Sequence, residues 1–151
     1  MKIGIAADHG GFELKKLLKQ RLTDLNYEVV DFGNDSYDPA DDYPDFVVPM
    51  ANAVTQNKID RGIAVCGSGV GASIVANKIH GAHAALINDC FSARQGVEDD
   101  DMNIICFGGR VIGTEAAWEI TLTFLNAKFS SIKRHKRRLQ KVNKIENHFF
   151  G

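Results

Sequence analysis

Gly62-Ile63-Ala64-Val65-Cys66-Gly67-Ser68-Gly69-Val70-Gly71 is the stretch on which the folding of this chain turns. Gly62 to Val65 is a short apolar run and reads as a buried strand. Ala72 to Lys78, with Ile74 and Val75, reads as a helix. Between them, alternating glycines make a turn whose backbone can approach a ligand closely. The turn aims its N–H groups, and the helix N-terminus behind it, at one point. A phosphate, a carboxylate or a transient oxyanion suits such a point. Cys66 closes the strand beside that positive field, which favours a thiolate. A base or nucleophile next to an oxyanion cradle is the pattern of an active site. The same residues also suit an inert buried cysteine before a tight turn, since free cysteine is among the most buried residue types.

Outward from this centre, strands and helices alternate. Ile3 to Ala7 is a first strand, followed by the turn Asp8-His9-Gly10-Gly11. Leu14, Leu17, Leu18, Leu22 and Leu25 then recur at helical spacing. Glu28 to Phe32 is a second strand. Gly33 to Pro44 is a long acidic loop, of the kind that is usually functional or mobile. A helix from about Asp45 carries Phe46, Val47, Met50, Ala51 and Val54. Beyond the central stretch, Ala84 to Ile87 is a fourth strand. A helical piece runs from Phe91 to about Val97, where Glu98 to Asp101 interrupts it. Asn103 to Phe107 is a fifth strand, ending in Gly108-Gly109-Arg110. Thr114 is placed to cap a helix carrying Ala117, Trp118, Ile120, Leu122, Phe124 and Leu125. The last segment, from about Ser131, is a basic helix with Leu139, Val142 and Ile145 as its apolar stripe.

Alternating strands and helices call for right-handed crossovers and a parallel sheet covered on both faces. The expectation is an α/β protein: a three-layer α/β/α sandwich around a five-stranded parallel, Rossmann-like sheet, as one domain over residues 1–151. Ligands in such folds sit beyond the carboxyl ends of the strands. Asp8-His9, Cys66 with its loop, Asn88-Asp89 and Arg110 stand at those ends, so most of the chemically able groups fall on one edge.

Composition excludes several classes. The 151 residues carry a net charge of -1, with 44% hydrophobic and 25% charged residues, ordinary for a soluble globular protein. Nothing in that balance points to nucleic acid, and no apolar run approaches the ~20 residues of a membrane span. No signal-peptide pattern precedes the first strand. Three cysteines without paired or zinc-ligand spacing fit a reducing cytoplasm and no metal.

The glycine loop admits one rival reading and excludes another. Gly67-Ser68-Gly69-Val70-Gly71-Ala72 also matches a dinucleotide fingerprint, with Asp89 near the spacing of a ribose-binding acid. Against that, the motif follows the third strand and is preceded by a cysteine. A cysteine-phosphatase cradle needs an arginine where Ala72 stands. The basic run Lys133 to Lys144 reads first as a solvated face, but Arg134 and Arg138 are i and i+4 and could clamp one phosphate.

Taken together and in order, these segments resemble the ribose-5-phosphate isomerase B family, which includes the galactose-6-phosphate isomerase subunits. The resemblance rests on Ala7-Asp8-His9-Gly10-Gly11-Phe12, Asp42-Tyr43-Pro44-Asp45, Cys66 to Gly71 and Ala76-Asn77-Lys78. It extends through Gly109-Arg110-Val111-Ile112-Gly113 to Arg134-His135-x-x-Arg138, and so covers nearly the whole chain. It implies a cofactor-free enzyme interconverting an aldose phosphate and a ketose phosphate, as a homodimer or dimer of dimers with sites at the subunit interface. In that resemblance Cys66 is the base moving a proton between C1 and C2. Gly67, Ser68, Gly69, Val70 and Gly71 hold the enediolate oxygen, and Ser68 also assists ring opening. Asp8 and His9 bind the sugar. Arg110, Arg134 and Arg138 are the phosphate and interface arginines. Many relatives carry a proton-donating His before the fifth strand; here Asp99 takes its place and Asp100 that of the neighbouring Asn. The substrate expected first is ribose 5-phosphate, with tetrose 4-phosphate, allose 6-phosphate or galactose 6-phosphate as alternatives. From another class, the alternative is a nicotinamide-binding or non-catalytic sugar-phosphate-binding module.

Overall fold

The structure, a computed structural model, describes residues 1–150. Five strands form one parallel sheet: β1 (Lys2–Ala7), β2 (Glu28–Asp31), β3 (Arg61–Cys66), β4 (Ala84–Leu86) and β5 (Ile104–Gly108). Their order is β2-β1-β3-β5-β4, so the chain passes β5 to reach the far edge and then returns. The helices are α1 (Phe12–Asp24), α2 (Tyr43–Thr55), α3 (Val70–Ala76), α4 (Cys90–Asp100), α5 (Thr114–Asn126) and α6 (Lys133–Phe150). The expected five-stranded α/β/α architecture is present.

Alternation along the central strands builds two cores. Ile3, Ile5, Ile63, Val65, Ile105 and Phe107 face one side and pack with Leu14, Leu18 and Leu22 of α1 and with residues of α4 and α5. Ala6, Ala64, Cys66, Ile104 and Cys106 face the other, against Val47, Met50 and Ala51 of α2 and Ala72 and Ala76 of α3. Small residues on that second face let α2 approach closely: a Cβ at Gly62 would stand 2.9 Å from Met50 Cε.

Several boundaries differ from the sequence reading. α2 begins at Tyr43 and not near Asp45, with Pro44 in its first turn, where a missing N–H costs nothing. α3 begins at Val70, immediately after the glycine turn, and ends at Ala76. The acidic run does not interrupt α4. Glu98, Asp99 and Asp100 form its last turn, and Asp101, left-handed at φ 53°, ends it. Thr114 is not a cap but the first helical residue, because Gly113 holds the extended cap position with no side chain to offer. Leu25 lies at the end of α1 and is exposed.

Candidate active site

The carboxyl ends of the three central strands meet at one place. Ala7 pairs with Val65 and Cys66 with Gly108, which sets Asp8, Cys66 and the β5 turn side by side. The turns then lock together. Gly109 N–H donates to Cys66 O at 2.8 Å, and Arg110 N–H to Gly67 O at 3.0 Å. Two glycines are required here. Gly69 has φ 82°, a left-handed conformation, and a Cβ there would meet Phe107 C at 2.7 Å. A Cβ at Gly10 would meet Gly67 N at 2.7 Å.

Above this floor opens a cavity of about 450 Å3, lined by Asp8, Tyr43, Cys66, Ser68, Arg110 and Val111 with Gly67 and Gly71. Its volume suits a small ligand. Cys66 is 4% exposed, and its Sγ accepts the Gly69 N–H at 3.2 Å, so the sulfur is an acceptor in this geometry. Val70 N–H, in the first turn of α3, donates to Ser68 Oγ at 3.3 Å. Asp8 is buried and caps the turn after β1, its Oδ1 accepting Gly10 N–H at 2.9 Å. Arg110 lies over Gly67: a Cβ built there would be 3.3 Å from Nη1.

His9 stands beside the cavity. Asp41 Oδ1 accepts its backbone N–H at 2.8 Å and lies 2.8 Å from Nδ1. That hydrogen bond is the main cause holding the imidazole above its usual range. The charges of Asp8 and Asp41 add to it, while desolvation and Arg110 oppose. Asp8, His9 and Asp41 gather ligand-type atoms within 4.8 Å of one another. Those atoms are spent largely on one another and on backbone N–H groups, so the trio reads as a hydrogen-bonded wall.

The remaining candidates lie elsewhere on the chain. Asp99, near the end of α4, pairs with buried His135 of α6, Oδ1 to Nδ1 at 3.3 Å. Ser130 Oγ is 2.7 Å from the same nitrogen, and Arg134 Nε donates to His135 Nε2 at 3.2 Å. Arginine only donates, so Nε2 is bare and Nδ1 carries the proton. Asp100 lines a separate apolar groove of about 460 Å3 beneath Leu139, Val142 and Ile145 of α6. Arg134 and Arg138 are exposed on α6. None of these four residues lines the Cys66 cavity of the same chain. Asp89, the ribose-binding acid of the dinucleotide reading, caps α4 by accepting Ser92 N–H at 2.7 Å.

Comparison with known proteins assigns the fold to a family. A family profile described as Ribose/Galactose Isomerase matches residues 3–142. The chain belongs to this family. It is an enzyme of that class, a sugar isomerase. The structure of ribose-5-phosphate isomerase B from Clostridium thermocellum is 43% identical, with a TM-score of 0.94 over 99% of this chain and 99% of that one. That of Mycoplasma genitalium ribose-5-phosphate isomerase B, with bound ribulose-5-phosphate, is 37% identical, with a TM-score of 0.91 over 97% and 96% of the two chains. The D-erythrulose-4-phosphate isomerase of Pectobacterium atrosepticum is 38% identical over 85% of each chain.

Three residues at the site, Tyr43, Val111 and Asp41, were not given a site role by the sequence reading. Tyr43 lines the cavity from the first turn of α2, and Asp41 braces His9. The signal for Tyr43 was the Pro44 that follows it, which marks a helix start. Asp41 carried no local signal, because its partners are distant in sequence.

Proposed function

We propose that this isomerase interconverts ribose 5-phosphate and ribulose 5-phosphate through an enediolate, with Cys66 as the base. The observation that carries the reading is Cys66 itself: its sulfur opens on the cavity, accepts an N–H and is flanked by a glycine turn. In the forward step the thiolate takes the proton from C2 of the open aldose, and the electron pair moves through C1 onto the carbonyl oxygen. The proton then returns from Cys66 to C1 as the C2 oxygen becomes the carbonyl, its hydroxyl proton passing to the O1 oxyanion. Electrons are conserved within the sugar, so the step needs no external carrier. In this reading the developing oxyanion is met by N–H groups of the Gly67–Gly71 turn other than those of Gly69 and Val70, which bond Cys66 Sγ and Ser68 Oγ, the kind of preorganised stabilisation that usually dominates such barriers. In this reading Ser68 assists ring opening, Asp8 and His9 bind the substrate, and Arg110 faces the phosphate.

Asp99, Asp100, Arg134 and Arg138 enter the reading through a second copy of the chain. They lie outside their own cavity, and Val70, Ile74 and Val111 beside it are exposed apolar groups that a partner would cover. We assign the reaction to the cytoplasm, where Cys66, Cys90 and Cys106, all free, stay reduced. No described helix is long and apolar enough to cross a membrane.

A tetrose 4-phosphate is the second reading, favoured by Asp99 and by the erythrulose-phosphate-named relative. A carboxylic acid is a poorer donor than imidazolium near neutral pH, and a tetrose 4-phosphate, its O4 esterified, needs no ring opening. Asp99→His is expected to raise ribose 5-phosphate turnover more than erythrose 4-phosphate turnover. Equal effects on both would remove position 99 from ring opening.

The central test is incubation with ribulose 5-phosphate in D2O, following the C1 and C2 protons by NMR without added cofactor. Exchange with interconversion is expected. Absence of exchange across several aldose and ketose phosphates would leave a binding module.

A further inference from the structure

The acidic loop between β2 and α2 exposes residues 35–40 to solvent, but it tucks Asp41 in, with the side chain 7% exposed. Three donors converge on that one carboxylate. Oδ1 accepts the His9 backbone N–H and faces His9 Nδ1, each at 2.8 Å, and Oδ2 accepts Asn34 Nδ2 at 3.0 Å. Asn34 is itself anchored, its carbonyl accepting from buried Lys15 Nζ at 2.7 Å. Lys15 is held in turn by both oxygens of Asp31, at 3.0 and 3.1 Å. A line of support therefore runs from the core of α1 to the His9 ring.

Among the described residues His9 is the one titratable base that meets Asp41. A carboxylate this far out of water needs a charged, hydrogen-bonded partner. Oδ1 occupies Nδ1, and Tyr37 stands edge-on with ring centroids 6.3 Å apart. Nε2 has no protein partner among the described residues, and the ring shares its surroundings with Arg110 of the cavity wall.

We propose that Asp41 is a positioning residue: it fixes the His9 ring through Nδ1 and presents a protonated Nε2, alongside Arg110, to the phosphate of the substrate. The inference rests on the sugar-phosphate reading for the ligand, but the state of His9 can be measured without any ligand. The groups facing His9 are Asp8 on its own turn, Asp41 and Tyr37 of the acidic loop, and Arg110 after β5. The carboxylates outweigh the arginine, in keeping with an imidazole held above its ordinary value.

The test joins two readouts. In the wild-type chain, imidazole NMR should show His9 titrating above the ordinary value of about 6.5. Asp41→Asn should bring that titration down. In steady-state kinetics with ribulose 5-phosphate, Asp41→Asn should raise KM about tenfold at neutral pH, the loss of one charge-assisted contact, with kcat within about twofold. The alkaline rise of KM should move to lower pH. The acid limb, set by phosphate ionisation near about pH 6, should stay. Asp41→Glu, which keeps the charge, should restore part of the KM. A wild-type His9 that titrates normally, or an Asp41→Asn variant with unshifted His9 titration and an unshifted KM limb, would overturn the proposal. A His9 that behaves as expected in a protein without turnover would overturn instead the choice of substrate.

Discussion

Cys66 and Cys106 point to the same face of the sheet, yet only one can act as a base. Burial pushes the Cys106 thiol up to about 12, with the nearby Cys66 adding to the rise, so it stays a neutral core group at physiological pH. Cys66 stands one strand-end further out and meets both the cavity and the Gly69 N–H. Cys66→Ala is expected to lower kcat by about 10^2 to 10^4, the range for a general base, with the fold intact by circular dichroism. Cys106→Ala should leave kcat within about twofold, since a small apolar side chain replaces a small buried one. Loss of activity in the second variant together with retention in the first would reverse the assignment.

Among the elements, those set by periodicity were legible in the sequence, and those set by distant contacts were not. β3 and its glycine turn were readable because an apolar run, a cysteine and alternating glycines each constrain the backbone locally. The end of α4 was misread because four adjacent carboxylates suggest a loop and oppose the helix dipole. Tertiary contacts reverse that preference: Asp99 meets His135, and Glu98 O accepts Ser130 N–H at 2.9 Å. Asp41 and Tyr43 were hidden for a related reason, since the course of the acidic loop is fixed by Lys15 and His9 of another segment. The glycine turn itself makes a stability prediction. Gly69→Ala puts a Cβ on a left-handed residue and 2.7 Å from Phe107 C. It should destabilise by about 3 kcal/mol or more, from backbone strain and overpacking together, and chemical denaturation will measure it. A variant as stable as wild type would mean the turn can relax.

For the whole molecule, the placement of the arginines bears on the proposed assembly. Arg134 and Arg138 sit on α6, away from the cavity of their own chain, so the proposed site draws on two copies. Cys66→Ala and Arg138→Ala should each be nearly inactive, the second through a raised KM. Mixed and reassembled, they should recover about a quarter of wild-type activity, because half of randomly formed C2 dimers carry one intact site of two. No recovery despite subunit exchange would place the arginine in its own chain's site or outside it.

The interlocked strand ends also set where the molecule can open. Cys66 O and Gly67 O receive the amides of Gly109 and Arg110, and the strands beneath them are buried on both faces. Such amides exchange with solvent only when the sheet itself comes apart. α6 is held differently: its first turn by His135, and its far half by contacts such as Glu146 Oε1 with Gly81 N–H at 2.7 Å and Asn147 with His80. Its outer face is solvated, so its amides should exchange through local detachment, orders of magnitude faster than those of the floor. The chain thus separates a slow clock, carrying Cys66, from a fast one, carrying Arg134 and Arg138. In the proposed two-copy site, a phosphorylated sugar is released by loosening the second while the first keeps its geometry for the next turnover.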